Sequence, residues 1–383
     1  MAINVKDKLD ETLKRLRGLG AALTGPRHVV GIDIGSHAVK VVLIIDEGGG
    51  PALKAWGHLP LNVKPEASPE ERRTHTVNAL RAFLIEKGIK VKEAVTSLSG
   101  NSVIVRYVKF PRLTKSELSA TLATEAEPFI PFDINEVQLG FHILDDIVED
   151  GLKKMETVLV AAKKDLVASR LDVLQGAGLT PTIIDVDSFA LENIHERLKE
   201  PKALAGATLY LNIGHMVTNL SIVENGLTRV VRDIFISGNT LTKAVMKGLQ
   251  VDAAKAEELK KSHGIIVDTA EKEKALAEGN RELLGVSQAV AAVVKDLVAE
   301  VHRSVDLYLS QGPERAIARI VLAGGTAPLK NLSKHLSAEL KVPVTVLEPF
   351  SFLKAPPADM PAALAPAFAV AVGLALRKNR DWI

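Results

Sequence analysis

One short pattern occurs twice in this 383-residue chain, and the repeat narrows the folds open to it. Val29-Val30-Gly31-Ile32-Asp33-Ile34-Gly35 opens the first copy, which runs on through Val39 to Ile44. Leu209-Tyr210-Leu211-Asn212-Ile213-Gly214 opens the second, which runs on through Thr218 to Val223. Aligning Asp33 with Asn212 sets the copies 212 − 33 = 179 residues apart, and Gly35 then falls on Gly214. Each copy is an apolar strand, a small or polar turn and a second apolar strand. A repeat at that distance predicts two related halves of similar size.

The turns suit an anion. Glycine in a strand–turn–strand unit lets backbone N–H groups come close to a phosphate. Asp33, at the end of its strand, can hold a magnesium ion through the ion's water shell. Ser36 and Thr218 add hydroxyl groups, Asn219 an amide and Lys40 a positive charge. Either copy alone is an ordinary β-hairpin. Two matched copies facing one another across a cleft would clamp a polyphosphate from both sides.

Strands and helices are mixed along the rest of the chain. The spacing of Val77, Leu80, Phe83 and Leu84 predicts a helix over 70–87, followed by short strands at 94–98 and 102–110. A helix from Thr114, another over 166–177 and a strand at 182–186 complete the first half. An Ala-, Lys- and Glu-rich stretch over 241–308 is expected to be helical. Strands at 320–322 and 344–346, a Gly-Gly turn and a small-residue helix close the chain. This mixture predicts an α/β protein. In the first 27 residues, Val5, Leu9, Leu13 and Leu16 recur among lysines and arginines, as in a basic amphipathic helix. Such a helix could lie on a membrane, on a partner or on its own domain.

Composition removes several function classes. A net charge of +2 gives no overall field to attract nucleic acid, and with 4% aromatics there are few platforms for stacking bases. There is no cysteine, so disulfides, thiolate metal sites and Cys nucleophiles are excluded. The ten histidines show no H-x-x-x-H pair, which argues against a zinc site. His37 and His215 lie in the two turns, where they could touch phosphate; surface histidines are the more frequent case. Gly20 to Gly25 has P-loop spacing, but Pro26 stands where the lysine belongs. Gly176-Ala177-Gly178 fits a helix end better than a dinucleotide fingerprint, and no G-x-S-x-G occurs. The acidic cluster Asp145, Asp146, Glu149 and Asp150 is expected to be a solvated loop. The longest apolar run, 361–376, carries Pro366 and falls short of the roughly 20 residues of a membrane span. Without an apolar leader, the chain is expected to be soluble and cytoplasmic.

Residues 31–40 and 211–220 resemble the two phosphate motifs of the actin-like ATPase superfamily. Val321-Leu322-Ala323-Gly324-Gly325-Thr326 resembles that superfamily's adenosine motif. Ala256-Glu257-Glu258-Leu259-Lys260 resembles the helix whose Glu and Lys border the ribose and base. All four stand in the superfamily's order. Within it, Glu125 to Val137, with Phe129-Ile130-Pro131-Phe132, resembles the PilM family of type IV pilus assembly, which is FtsA-like. Segments 158–167, 176–193 and 232–242 agree, so the resemblance spans residues 28–377.

The resemblance implies two related lobes with ribonuclease H-like cores. The first would span 28–200, with an FtsA-type inserted subdomain at about 91–181. The second would span 201–349, with a helical insertion at about 241–311, and residues 350–383 would return to the first lobe. It implies ATP and magnesium as cofactors, held by Asp33, Gly35, Ser36, Lys40, Asn212, Gly214, Thr218, Asn219, Glu257, Lys260, Gly324, Gly325 and Thr326. It also implies a PilN-like inner-membrane protein tail as partner, with Phe129 to Phe132 either lining its groove or, for most of these side chains, packing into the core, together with other pilus platform proteins, indirect membrane association and a homo-oligomer. Asn212 stands where many members have Asp, and it brings no charge for magnesium. Met216 and Val217 replace small or hydroxyl-bearing residues. Asp185 or Asp187 could orient an attacking water or cap the following helix. The expectation is therefore ATP binding with slow or absent hydrolysis. A sugar or small-molecule kinase and an FtsA-like division protein are the rival readings. The kinase would need a carboxylate base that is not evident, and the division protein a C-terminal amphipathic anchor.

Overall fold

A computed structural model describes residues 28–46, 50–63, 67–198 and 206–377. The basic amphipathic segment expected in the first 27 residues lies outside the described residues.

The first half supplies β1 (Val30–Ile34), β2 (Ala38–Asp46), β3 (Pro51–Pro60), α1 (Pro69–Glu86) and β4 (Glu93–Leu98). It continues with β5 (Val103–Pro111), α2 (Lys115–Ala126), β6 (Val137–Glu149), β7 (Leu152–Lys163), α3 (Lys164–Gly176), β8 (Thr180–Val186) and α4 (Asp187–His195). The second half supplies β9 (Ala207–Ile213), β10 (Thr218–Glu224), β11 (Leu227–Ile234), α5 (Gly238–Leu249), α6 (Ala253–His263), α7 (Thr269–Ala277) and α8 (Arg281–Leu309). It ends with β12 (Ile317–Ala323), α9 (Leu332–Leu340), β13 (Val344–Val346) and α10 (Ala369–Ala375).

The halves repeat one sheet. The first has the order β3-β2-β1-β4-β8 and the second β11-β10-β9-β12-β13. In each, the first three strands are antiparallel and the last two join in parallel. β9 is buried along its whole length, which explains why Leu209, Tyr210 and Leu211 follow one another without a polar residue: both faces of such a strand are covered. A separate antiparallel sheet, β5-β7-β6, carries α2 and interrupts the first half between β4 and β8.

Local chemistry sets the boundaries. Ser68 caps α1 by accepting from the Glu71 amide, while the Glu71 carboxylate accepts from the Ser68 amide; Thr114 and Glu117 do the same for α2. Along α8, Val286, Val290, Val294, Leu297 and Val301 form one stripe that enters the second half's core. The expected helical stretch over 241–308 is four helices, broken where Gln250, Gly264 and Gly279 adopt left-handed backbone.

The acidic cluster differs from expectation. Asp145, Asp146 and Glu149 belong to β6, and Asp150-Gly151 forms the turn into β7 with φ of +53° and +76°. That pair is a strong hairpin signal, and Asn225-Gly226 makes the matching turn between β10 and β11.

One apolar cluster draws on both halves. Val42 and Ile44 of β2, Leu191 of α4, Tyr210 of β9, Val321 of β12, and Phe368 and Ala371 near the chain's end share it. None of the described helices is long and apolar enough to cross a membrane.

Candidate functional site

The two hairpins are built to the same plan. In β1–β2, Asp33 sits opposite Lys40; in β9–β10, Asn212 sits opposite Asn219. The Gly35 amide donates to the Ala38 carbonyl at 3.2 Å, and the Gly214 amide donates to the Val217 carbonyl at 3.0 Å. A Cβ at Gly35 would lie 2.9 Å from the Ala38 oxygen, and one at Gly214 would lie 2.8 Å from the Val217 oxygen. Only glycine fits either turn. The cross-strand pair is ionic in the first copy, where Lys40 Nζ donates to Asp33 Oδ2 at 3.0 Å. It is an amide pair in the second, where Asn212 Nδ2 donates to Asn219 Oδ1 at 2.9 Å.

The tips converge. Ser36 and His37 are exposed at the first, His215 and Met216 at the second. The rings of His37 and His215 lie 5.1 Å apart, centroid to centroid.

The second hairpin is tied to its surroundings. Thr218 is buried, and its hydroxyl donates to the Ile236 carbonyl at 2.6 Å, directed into the second lobe. Asn219 Nδ2 donates to Asp233 Oδ1 at 2.6 Å, and the Gly100 amide donates to Asp233 Oδ2 at 2.5 Å. That last bond links the two halves. The amides of Gly238 and Asn239, at the start of α5, donate to the carbonyls of Gly214 and His215, both at 2.9 Å.

Glu257 and Lys260 project from α6 toward this point. Lys260 Nζ donates to Glu257 Oε2 at 2.6 Å, Thr242 Oγ1 at 2.9 Å and the Gly238 carbonyl at 3.2 Å. Burial lowers the Lys260 pKa against the opposing pull of Glu257. Burial alone would raise Glu257, but hydrogen bonds from Lys260 and Thr242 and the charges of Lys260 and Lys261 hold it down to about 2.

The Gly-Gly turn after β12 closes the same site. Gly324 has φ +87°, and a Cβ there would lie 2.5 Å from the Ile213 oxygen and 2.8 Å from Asn212 Oδ1. The Thr326 amide donates to the Ile213 carbonyl at 3.2 Å. Gly325 is exposed, and no atom stands within 4 Å of a Cβ placed on it. The structure thus gathers Asn212, Gly214, Thr218, Asn219, Glu257, Lys260, Gly324 and Thr326 into one network and sets Ser36 and His37 across from it.

The two catalytic candidates diverge. Asp185 is bound by Arg377 at 2.6 Å and accepts from the Val186 amide at 2.8 Å, a structural pair joining the chain's end to β8. Arg377→Met is expected to lower stability by about 2 kcal/mol in urea unfolding, because it removes the charged hydrogen-bond partner of a buried carboxylate. Asp187 opens α4 and accepts from Ser97 Oγ at 2.6 Å. Burial, reinforced by the charge of Asp33, pushes its carboxyl up to about 7. Arg170 on α3 feels both carboxylates and keeps its Nε buried without a partner.

A magnesium nucleotide fits these residues. Asp33 and Asp187 repel one another, so a dication near them would be stabilised. Among the described residues no three metal-ligating side chains cluster, so phosphate and water would supply most of its ligands. Around the tips, Lys40, Lys243, Lys260 and Lys261 all act on the histidines, a cationic setting suited to polyphosphate. Gly238, Asp233 and Arg170 were not among the expected site residues. The Ser237-Gly238 step into a helix was the available signal for the first; the other two carry none in their local sequence.

Comparison with known proteins agrees with this architecture. The profile of a family described as Type IV pilus assembly protein PilM matches residues 31–379. The solved structure of a PilM-PilN type IV pilus biogenesis complex is 28% identical, with a TM-score of 0.75 over 92% of this chain and 99% of that chain. Ethanolamine utilization protein EutJ from Carboxydothermus hydrogenoformans is 16% identical, with a TM-score of 0.51 over 91% of this chain and 89% of that chain, and shares the fold. The two repeated sheets, with the sheet inserted between β4 and β8, form the actin-like ATPase fold. With its profile matched from β1 to the end of the described residues, the chain belongs to the PilM family of type IV pilus assembly proteins.

Proposed function

We propose that this protein is a nucleotide-binding scaffold of the type IV pilus inner-membrane assembly platform. It holds MgATP between its lobes and binds the cytoplasmic tail of a PilN-like membrane protein, which brings it to the inner face of the membrane. The convergence of the hairpin tips, with His37 and His215 5.1 Å apart beside four lysines, carries the nucleotide reading. Phosphates would lie against the tips, Asp33 would hold magnesium through water, and the nucleoside would lie over Gly325. When bound, the metal supplies charge neutralisation for the phosphates. The partner reading is supported by family membership and by the similar chain of the PilM-PilN complex.

Turnover is slow or absent in this reading. Asn212 brings no carboxylate to the second hairpin, and Asp185 is engaged by Arg377. Asp187 remains to orient a water, and burial beside Asp33 favours its protonated form.

Calorimetric titration with MgATP tests the nucleotide site. The intact protein is expected to bind, and Asp33→Ala and Gly214→Val each to weaken binding about tenfold or more. An absence of binding, or unchanged affinity in both variants, removes the assignment. Pull-down with PilN-like tail peptides, with and without MgATP, tests the partner: no capture in either condition defeats it.

A further inference from the structure

The histidine pair is unlike anything else in the cleft. His37 follows Ser36 at the first tip and His215 follows Gly214 at the second, so each lobe contributes one imidazole. Their planes are tilted by 36° at 5.1 Å, and among the described residues no carboxylate hydrogen bond acts on either. The groups that act on them are Lys40 on β2, His58 on β3, Lys243 on α5, and Glu257, Lys260 and Lys261 on α6. Glu257 is the one carboxylate in that set, and Lys260 and Thr242 already hold it. The first hairpin's own carboxylate, Asp33, is held by Lys40. What remains at the tips is a cationic surface that carries two exposed titratable rings side by side.

We propose that His37 and His215 are proton-accepting ligands of the nucleotide's phosphates, so that nucleotide binding by this protein takes up protons. The inference rests on the nucleotide reading above. A neutral imidazole offers one N–H donor, whereas an imidazolium offers two and a positive charge. Without ligand the protonated pair is disfavoured, because the rings repel one another and the lysines repel both. A phosphate against both rings reverses that balance.

The sign of the pH effect follows. Burial first, then Lys261 and Lys40, hold His37 below its ordinary value of 6.5; burial and His37 do the same for His215. An anion raises both. Between the free and bound values the complex carries more protons than the free protein, so affinity rises as pH falls through that window. Below the free-state values the gain levels off.

The test is calorimetric titration of the full chain with MgATP between pH 6 and 8, in buffers of differing ionisation enthalpy. The wild type is expected to take up roughly half a proton or more near pH 7 and to bind about tenfold more tightly at pH 6 than at pH 8. The His37→Gln/His215→Gln double variant is expected to lose both the uptake and the slope. Comparison with that variant cancels any proton carried by the ligand itself. If wild type and variant bind with the same proton balance and slope, the proposal is overturned while the nucleotide site stands. If the wild type binds MgATP at no pH, both fall. Should the double variant misfold, imidazole C–H titration of the wild type by NMR gives the answer. Both ring pKa values move up on adding MgATP if the proposal is right, and stay fixed if it is wrong.

Discussion

Gly373→Ala is expected to destabilise the protein by about 3 kcal/mol, the upper end of the usual cost of overpacking. On helix propensity alone the change should help, since alanine in a helix interior is worth about 1 kcal/mol over glycine. Packing decides otherwise. A Cβ at residue 373 would lie 1.9 Å from the Ala190 carbonyl oxygen and 2.5 Å from its carbon, both backbone atoms of α4. Asn193 Nδ2 donates to the Gly373 carbonyl at 3.1 Å, which fixes the same approach. On the other face, a Cβ at Gly31 would lie 2.3 Å from the Ala371 oxygen and 2.5 Å from the Ala375 nitrogen. The last helix is therefore wedged backbone to backbone between β1 and α4, and it cannot yield without opening the cluster around Phe368, Val372 and Leu191. Urea unfolding checks this, with Gly140→Ala as the control, because nothing lies within 4 Å of a Cβ there. A Gly373→Ala protein as stable as the wild type would mean that this docking is wrong.

The hairpins were legible in the sequence because their chemistry is local and repeated. Each needs a strand, a glycine and a strand, and the period of two shows directly in the apolar pattern. The small-residue helix was legible too, since alanine and glycine alternate with valine and leucine over 369–375 and let one face pack closely. What escaped was punctuation hidden in composition. Asp150-Gly151 looked like part of an acidic loop, yet positive φ at both residues makes it a hairpin turn. In the Ala-, Lys- and Glu-rich region, Asp252, Asp268 and Asn280 each cap a helix by accepting from a backbone amide. Those caps divide what reads as one amphipathic run.

Direction and distance in the site were illegible for another reason. The sequence places Thr218 in the second hairpin but cannot say that its hydroxyl turns toward Ile236. Asp185 and Arg377 are 192 positions apart, and no local signal joins them. His37 and His215 look like turn-surface histidines one at a time; their meeting belongs to the tertiary structure alone.

Gly325→Val is expected to leave the thermal midpoint near that of the wild type and to weaken ATP binding about tenfold or more. Neighbouring Gly324 cannot separate fold from function. Its φ of +87° and its 2.5 Å approach to the Ile213 oxygen mean that any side chain there strains the turn and displaces the second hairpin together. Gly325 has neither constraint. It is exposed, its backbone lies outside the left-handed region, and the space beyond it is open. The turn is pinned on either side, by the Gly324 amide donating to the Pro366 carbonyl at 2.9 Å and by Thr326 on Ile213. An exposed substitution of this kind usually changes stability by no more than about 0.5 kcal/mol. A loss of affinity must then come from what would occupy that space, which is the nucleoside. Inorganic tripolyphosphate supplies the discriminating measurement, because the hairpin tips alone would hold it. Its affinity should be the same in wild type and Gly325→Val, while that of ATP falls. If ATP binds the variant as tightly as the wild type, the nucleoside does not lie over the Gly-Gly turn; if both ligands weaken together, the substitution has moved the hairpins instead.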